Sequence, residues 1–283
     1  MKEKLLFINI SGTNSKVKLY ENGNISENFE FKIDGYQKGK VIENDSFFES
    51  FRNPKLTRVL NYQNIDKLIF GVSPNEISSK VEVLPVYSLD STKPVVEKDL
   101  SIKTNFVDDN YSLLHSISLG YILDGKDVLS NPTGMHAKKV ESIKLNVSIN
   151  NGYIDCLKKL CKLLSITCPI NIISNSIALT NELIDEENKD FGCFHINIAD
   201  DLTELSMIQK NKVLDLAVIP VGKENFYRDI EISLDINSKD AKLLVENFGT
   251  VMPELIQEND HLLVHTNKGC LLYTSPSPRD WDE

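Results

Sequence analysis

The feature that most constrains this chain is a block of residues that occurs twice. Leu5-Leu6-Phe7-Ile8-Asn9-Ile10 leads into the polar loop Ser11-Gly12-Thr13-Asn14-Ser15, then Lys16-Val17-Lys18-Leu19-Tyr20, the turn Glu21-Asn22-Gly23 and a further extended run. Phe194-His195-Ile196-Asn197-Ile198 leads into the polar loop Ala199-Asp200-Asp201-Leu202-Thr203, then Glu204-Leu205-Ser206-Met207-Ile208, the turn Lys210-Asn211-Lys212 and Val213-Leu214-Asp215-Leu216-Ala217-Val218. Each block reads strand, tight polar loop, strand, turn, strand. A block used twice predicts two similar half-domains facing each other.

Length and charge bound the function. The 283 residues are enough for about two domains with a full core. With 41% hydrophobic and 25% charged residues the composition is that of an ordinary globular protein. The net charge of −10 speaks against sequence-independent nucleic-acid binding, which needs a basic face, so no nucleic-acid partner is expected. No run approaches the roughly 20 apolar residues of a membrane span, and the N-terminus enters a strand without a signal-peptide apolar region. Cys156, Cys161, Cys168, Cys193 and Cys270 form no CxxC pair and no zinc spacing, so they are expected to be reduced thiols and no metal ligand set is expected.

Along the chain, Phe47, Phe48 and Phe51 mark one buried helix face, and Leu68 to Val72 a buried strand. Residues 75 to 150 alternate, as in Lys80 to Leu84 and Ile143 to Ile149, which predicts half-exposed strands of a small α+β insertion. Asp108-Asp109-Asn110 is expected to start a helix over 108–119 that covers them. Residues 151 to 168 carry Ile154, Leu157, Leu160, Cys161 and Leu164 on one face with Lys158, Lys159 and Lys162 opposite. That pattern suits a crossover helix packed on a sheet better than a membrane-surface helix, because the strand-like Ile170 to Ile173 follows it. A second helix is expected over 175–185, and another from Ser238, as N-cap, to Phe248.

Two polar loops presented by duplicated strand blocks are the plan of actin-like nucleotide-binding proteins, whose loops clasp a nucleotide's phosphates. More specifically, His115-Ser116-Ile117-Ser118-Leu119-Gly120-Tyr121-Ile122-Leu123-Asp124-Gly125 and Asn131-Pro132-Thr133-Gly134-Met135 resemble two motifs of the bacterial cell-division family FtsA. Gly35 to Ile42, Pro220-Val221-Gly222 with Asp229-Ile230, and Ser238-Lys239-Asp240-Ala241-Lys242 are looser matches in consistent order, spanning about residues 4 to 252. The resemblance implies an α/β, actin-like fold of ribonuclease H-like duplicated halves with an inserted small α+β domain of the SHS2 type. It implies a first subdomain from 1–74 and 149–187, the insertion at 75–148, and an incomplete second subdomain at 188–269. It implies a scaffold on the inner, cytoplasmic face of the cell membrane at the division site. Its partners would be FtsZ, further copies of itself, other divisome proteins bound through 75–148, and the membrane, reached through a C-terminal helix outside the matched region.

The same resemblance implies that ATP and Mg²⁺ would sit against Asn9, Ser11, Gly12, Thr13, Asn14 and Lys16 from the first loop and Asn197, Ala199, Asp200, Asp201, Leu202 and Thr203 from the second. Both loops depart from the family pattern. Lys16 keeps the lysine of Asp-x-Gly-x-x-x-x-Lys, but Asn9 replaces its acid and Ser11 its first glycine. Asn197-Ile198-Ala199-Asp200-Asp201-Leu202-Thr203 retains no glycine of Asp-Ile-Gly-Gly-Gly-Thr. Glycines let backbone approach phosphate at positive φ, where another residue costs ~1–2 kcal/mol. Asp200 and Asp201 would repel phosphate unless one of them held Mg²⁺. The expectation is therefore weak nucleotide binding, negligible hydrolysis and no catalytic residue. An active actin-fold ATPase or sugar kinase, and a pilus-assembly adaptor of related fold, stay open as alternatives.

The C-terminal run Cys270-Leu271-Leu272-Tyr273-Thr274-Ser275-Pro276-Ser277-Pro278-Arg279-Asp280 is similar to one reading frame of the transposase adapter used in sequencing libraries. Residues 270–283 are expected to be an artefactual tail that builds no element, with the natural protein continuing beyond Gly269.

Overall fold

The computed structural model describes residues 3–62, 64–86, 92–100, 108–126, 128–250, 252, 261–266 and 269–274. The chain divides into two compact units, 1–220 and 221–283.

The first unit opens with β1 (Lys4–Ser11), β2 (Asn14–Glu21) and β3 (Asn24–Lys32), an antiparallel meander. A short hairpin, β4 (Tyr36–Gln37) with β5 (Lys40–Val41), precedes α1 (Asn44–Ser50), α2 (Pro54–Tyr62) and β6 (Lys67–Val72). β6 pairs parallel to β1 on the edge opposite β2. Then come β7 (Ile77–Val86), α3 (Glu97–Leu100), β8 (Tyr111–Leu123), β9 (Val128–Leu129) and β10 (Val140–Asn150). After α4 (Asn151–Leu163), β11 (Ile170–Ser174) completes the first sheet in the order β11-β6-β1-β2-β3. β1 is central and buries Leu6, Ile8 and Ile10 on one face. Phe47 and Phe51 of the α1 turn cover that core together with Leu157 and Leu160 of α4, so the helix faces read from the apolar spacing are the faces that pack.

A second helix after α1 was not expected. Pro54 opens it, where a missing N–H costs nothing, and Asn53 caps it through Oδ1, which accepts from the Lys55 amide at 2.9 Å.

The strands between 77 and 150 form their own sheet, β7-β10-β8-β9. The helix expected over 108–119 is a correction: these residues lead into and run along β8. Asp108 does cap a turn, but its Oδ1 accepts from the Asn110 and Tyr111 amides and launches a strand. In the sequence Leu113, His115, Ile117 and Leu119 recur at period two, and pairing with β10, with bulges at Leu114 and Leu119, wins over the cap signal. No helix over 108–119 is left to cover the sheet. Instead Leu145 and Val147 of β10 pack with Val213 and Leu216 of the second strand block.

That block follows α5 (Asn175–Leu183) and α6 (Glu186–Phe191) and comprises β12 (Cys193–Ile198), β13 (Thr203–Gln209) and β14 (Lys212–Ile219). It repeats the antiparallel meander of β1–β3. β12 ends its sheet and turns Phe194, Ile196 and Ile198 to solvent, at 76%, 59% and 47% exposure.

The second unit holds α7 (Lys223–Leu234) and α8 (Ser238–Phe248), joined over Ile236 and Ala241. The cap of α8 is Asn237, one residue before the expected Ser238: its Oδ1 accepts from the Asp240 amide at 3.0 Å. β15 (His261–Thr266) and β16 (Gly269–Thr274) pair antiparallel. Residues 270–274 therefore do build an element, contrary to expectation, because Leu271, Leu272 and Tyr273 favour strands and find Leu262 to Val264 as partners. Pro276 and Pro278 lie outside the described residues. Among the described residues no helix is long and apolar enough to cross a membrane, and Cys156, Cys161, Cys168 and Cys193 are free thiols.

Candidate functional site

The duplicated hairpins place their loops by the same register. Asn9 stands opposite Lys16 across β1–β2, and Asn197 stands opposite Glu204 across β12–β13. Ser11-Gly12-Thr13-Asn14 and Ala199-Asp200-Asp201-Leu202 are the corresponding turns, the second closed by the Ala199 amide donating to the Leu202 carbonyl at 2.9 Å. Asn9, Ser11, Gly12, Asn14 and Lys16 from the first loop, and Ala199 and Asp200 from the second, line one cavity of about 240 Å³, with Glu30 of β3 as an added wall residue.

The other expected site residues lie elsewhere. Thr13 accepts from the Ile33 amide through its carbonyl at 2.7 Å. Leu202 is fully buried, and Thr203 pairs in the sheet. Asn197 donates through Nδ2 to Glu204 Oε2 at 2.8 Å. Asp201 is only 1% exposed and does not line the cavity; its Oδ2 accepts from the Lys38 amide at 2.5 Å. Of the two expected loop acids, Asp200 lines the cavity and Asp201 does not.

The second loop also escapes the backbone strain expected of it. Gly12 holds φ +65°, but neither Asp200 nor Asp201 has a positive φ. The two loops match in length and register yet differ in turn geometry. A turn at ordinary φ suits any residue and aims its amides differently from a glycine-rich cradle.

Beneath the loops, the first turn of α5 ties the two hairpins together. Asn175 donates through Nδ2 to Asn9 Oδ1 and to Ser73 Oγ, each at 2.8 Å. Ser176 donates through Oγ to Glu204 Oε1 at 3.0 Å. Glu204 is buried, with its two oxygens taken by Ser176 and Asn197, and the N-terminus of α5 supplies a favourable dipole. Tyr36 lies nearby, its hydroxyl 3.4 Å from that of Tyr153. Burial above all, then Tyr153 and the charges of Asp201 and Glu204, hold its pKa well above the usual tyrosine value. Sequence reading missed Glu30, Asn175, Ser176 and Lys38. The register equivalence of Lys16 and Glu204 was available in the repeat and would have flagged Glu204 as a buried acid at a lysine's position.

The first of the two longer motifs, His115 to Gly125, has a definite structural part to play. His115 accepts the Ser174 amide at Nε2, 3.0 Å away, and so fastens β8 to the start of α5. Burial lowers its pKa below the usual imidazole value. The folded state therefore favours the neutral ring. Its contribution is full above the unfolded pKa of ~6.5 and is lost as pH falls from there through the folded pKa, at up to ~1.4 kcal/mol per pH unit. The melting temperature is expected to drop between pH 7.5 and 5.5, and His115→Gln should flatten that drop, since glutamine cannot take up the proton. An equal drop in both proteins would refute the assignment to His115.

With the site described, comparisons with known proteins place the fold. The PilM protein of the type IV pilus biogenesis complex PilM–PilN superimposes over 88% of this chain and 71% of its own at a TM-score of 0.56 and 11% identity. MreB5 of Spiroplasma citri, solved with ADP, superimposes over 96% of this chain and 72% of its own at 0.52 and 10% identity. The fold is actin-like. By sequence, the cell division protein FtsA of Bacillus subtilis is 22% identical over 227 residues, 76% of this chain and 50% of that protein. The chain thus spans about half the length of that curated relative. No family model matches. The cavity between the two hairpin turns has Gly12 and Lys16 in its lining.

Proposed function

We propose that this protein is a cell-division scaffold of the FtsA kind, in which the loop cavity has lost most of its capacity for nucleotide. It links FtsZ filaments to the inner face of the membrane, associates with itself and recruits other divisome proteins. The 75–148 insertion, of SHS2 type, contacts those proteins, while 1–74 with 149–187 and 188–269 act as the two actin-like subdomains. The membrane contact is made by an amphipathic C-terminal helix outside the matched region. The observation that carries this reading is the 227-residue similarity to FtsA, beside the two motifs His115–Gly125 and Asn131–Met135 in the sequence.

The chemistry of the cavity supports a scaffold over an ATPase. Phosphoryl transfer needs phosphates held by backbone amides, a positioned Mg²⁺ and an aligned water. Asn9 is committed to Asn175 and Asn197 to Glu204, and an amide brings no negative charge to Mg²⁺. Asp200 and Glu30 add negative charge to the wall that a phosphate would meet, against Lys16, the one cation among the described residues lining the same cavity. ATP with Mg²⁺ is then at most a weak structural ligand.

Two measurements test the proposal. A fluorescent fusion is expected to form a band at the division site that disappears when FtsZ is depleted. The purified protein is expected to release phosphate from ATP no faster than its Lys16→Ala variant. A diffuse fusion argues against the division role. Micromolar ATP affinity with steady phosphate release, both reduced in Lys16→Ala, restores the ATPase alternative.

A further inference from the structure

Three segments far apart in sequence meet on the carboxylate of Asp201. Its Oδ2 accepts from the Lys38 amide at 2.5 Å. Its Oδ1 is buried with no hydrogen-bond partner. A Cβ placed on Gly12 would lie 3.3 Å from that same oxygen. Asp200, one residue earlier, is exposed and lines the cavity, so the loop has a route to water that Asp201 does not take. Leaving a carboxylate oxygen buried and unpaired costs free energy, and an ordinary turn aspartate would avoid it.

The surroundings explain what holds it there. Lys38 and Gly39 both have positive φ, 51° and 75°, and form the two-residue turn between β4 and β5. Such a turn fixes the direction of its amides, and that of Lys38 points at loop two. On the other side, Gly12 presents backbone without a side chain at φ +65°. A glycine turn of this kind lets an anion come close to the backbone. The anion that has come close is part of the chain itself.

Resting on the reading of these loops as a relative of a phosphate clasp, we propose that Asp201 is an internal anion that closes loop two onto loop one and the Lys38 turn in the absence of nucleotide. It holds loop two on the Lys38 turn with its second oxygen beside Gly12. It also sets a fixed negative charge behind Gly12 that opposes the phosphates of a nucleoside triphosphate. The scaffold would then keep one shape whatever the nucleotide supply.

The test compares the full chain with Asp201→Gly and Asp201→Asn. In Asp201→Gly, hydrogen exchange at the Lys38 amide is expected to rise at least ~10-fold while Leu6 to Ile10 stay protected. Asp201→Asn keeps an acceptor for that amide, so its Lys38 protection should persist while the charge is gone. Both variants should bind a fluorescent ATP analogue with Mg²⁺ more tightly than the parent, Asp201→Gly by about 10-fold or more. Unchanged exchange at Lys38 in Asp201→Gly overturns the latch, and equal nucleotide affinity in all three proteins overturns the opposition to phosphate. Should Asp201→Gly fail to fold, Asp201→Ala, which also removes the acceptor, is read at the Lys38 amide in its place, and unchanged exchange there overturns the latch. Lys38 exchange is read without nucleotide, so failure of the latch and failure of the scaffold reading are separate results.

Discussion

Phe51→Ala is expected to lower the unfolding free energy of the first unit by about 3–5 kcal/mol, the cost of deleting a fully buried aromatic ring. Phe51 is 0% exposed and sits just past the last turn of α1. Its ring stands edge-on to Phe31 at 5.3 Å and 87°, and 5.1 Å from Phe47. It thereby connects the outer strand of the first sheet to the helix covering that sheet. The cavity left by alanine is walled by strand and helix together, so it cannot collapse without moving one of them. Denaturant unfolding with matched slopes is the measurement, and a loss under about 1 kcal/mol would show that the ring is not the fastener described.

Gly39→Ala should cost about 3 kcal/mol and reach the candidate site. A Cβ there would lie 2.5 Å from the Asn75 amide nitrogen and 2.8 Å from the Ser73 carbonyl. Both are backbone atoms, so no side-chain rotation relieves the clash, and φ +75° adds its own ~1–2 kcal/mol for any L side chain. Relief means shifting the β4–β5 turn, which carries the Lys38 amide away from Asp201. A thermal melt combined with hydrogen exchange at Lys38 reads both effects. A variant with parental stability and an unaltered Lys38 amide would contradict the packing at this turn.

Much of the fold was legible in particular residues. The twin runs ending in Ile10 and Ile198 announced two equivalent hairpins, because alternation at period two and a short polar turn specify an antiparallel pair by local geometry alone. Leu157, Leu160 and Cys161 named the buried face of α4 for a similar reason, since helical spacing maps directly onto one side of a helix. Where two local signals competed, as at Asp108 ahead of an alternating run, cap chemistry could not decide between helix and strand. The β10 neighbour decided it by pairing with β8 along most of its length. Residues 270–274 were misjudged because a strand needs a partner, and its partner, residues 261–265, is a run with no period of its own.

The site divides along the same line. The residues themselves state that loop two has no glycine, that loop one ends in Lys16, and that Asn9 and Asn197 hold the same place in the two blocks, because these are matters of composition at fixed spacing. Only the tertiary structure decided what those residues do. Asp200 and Asp201 are chemically identical neighbours, yet one faces a cavity and the other is buried against Gly12 and Lys38. Nothing local separates them. The direction of a turn side chain is set by whichever donors other segments bring within hydrogen-bond reach, and the Lys38 amide arrives from 163 residues away.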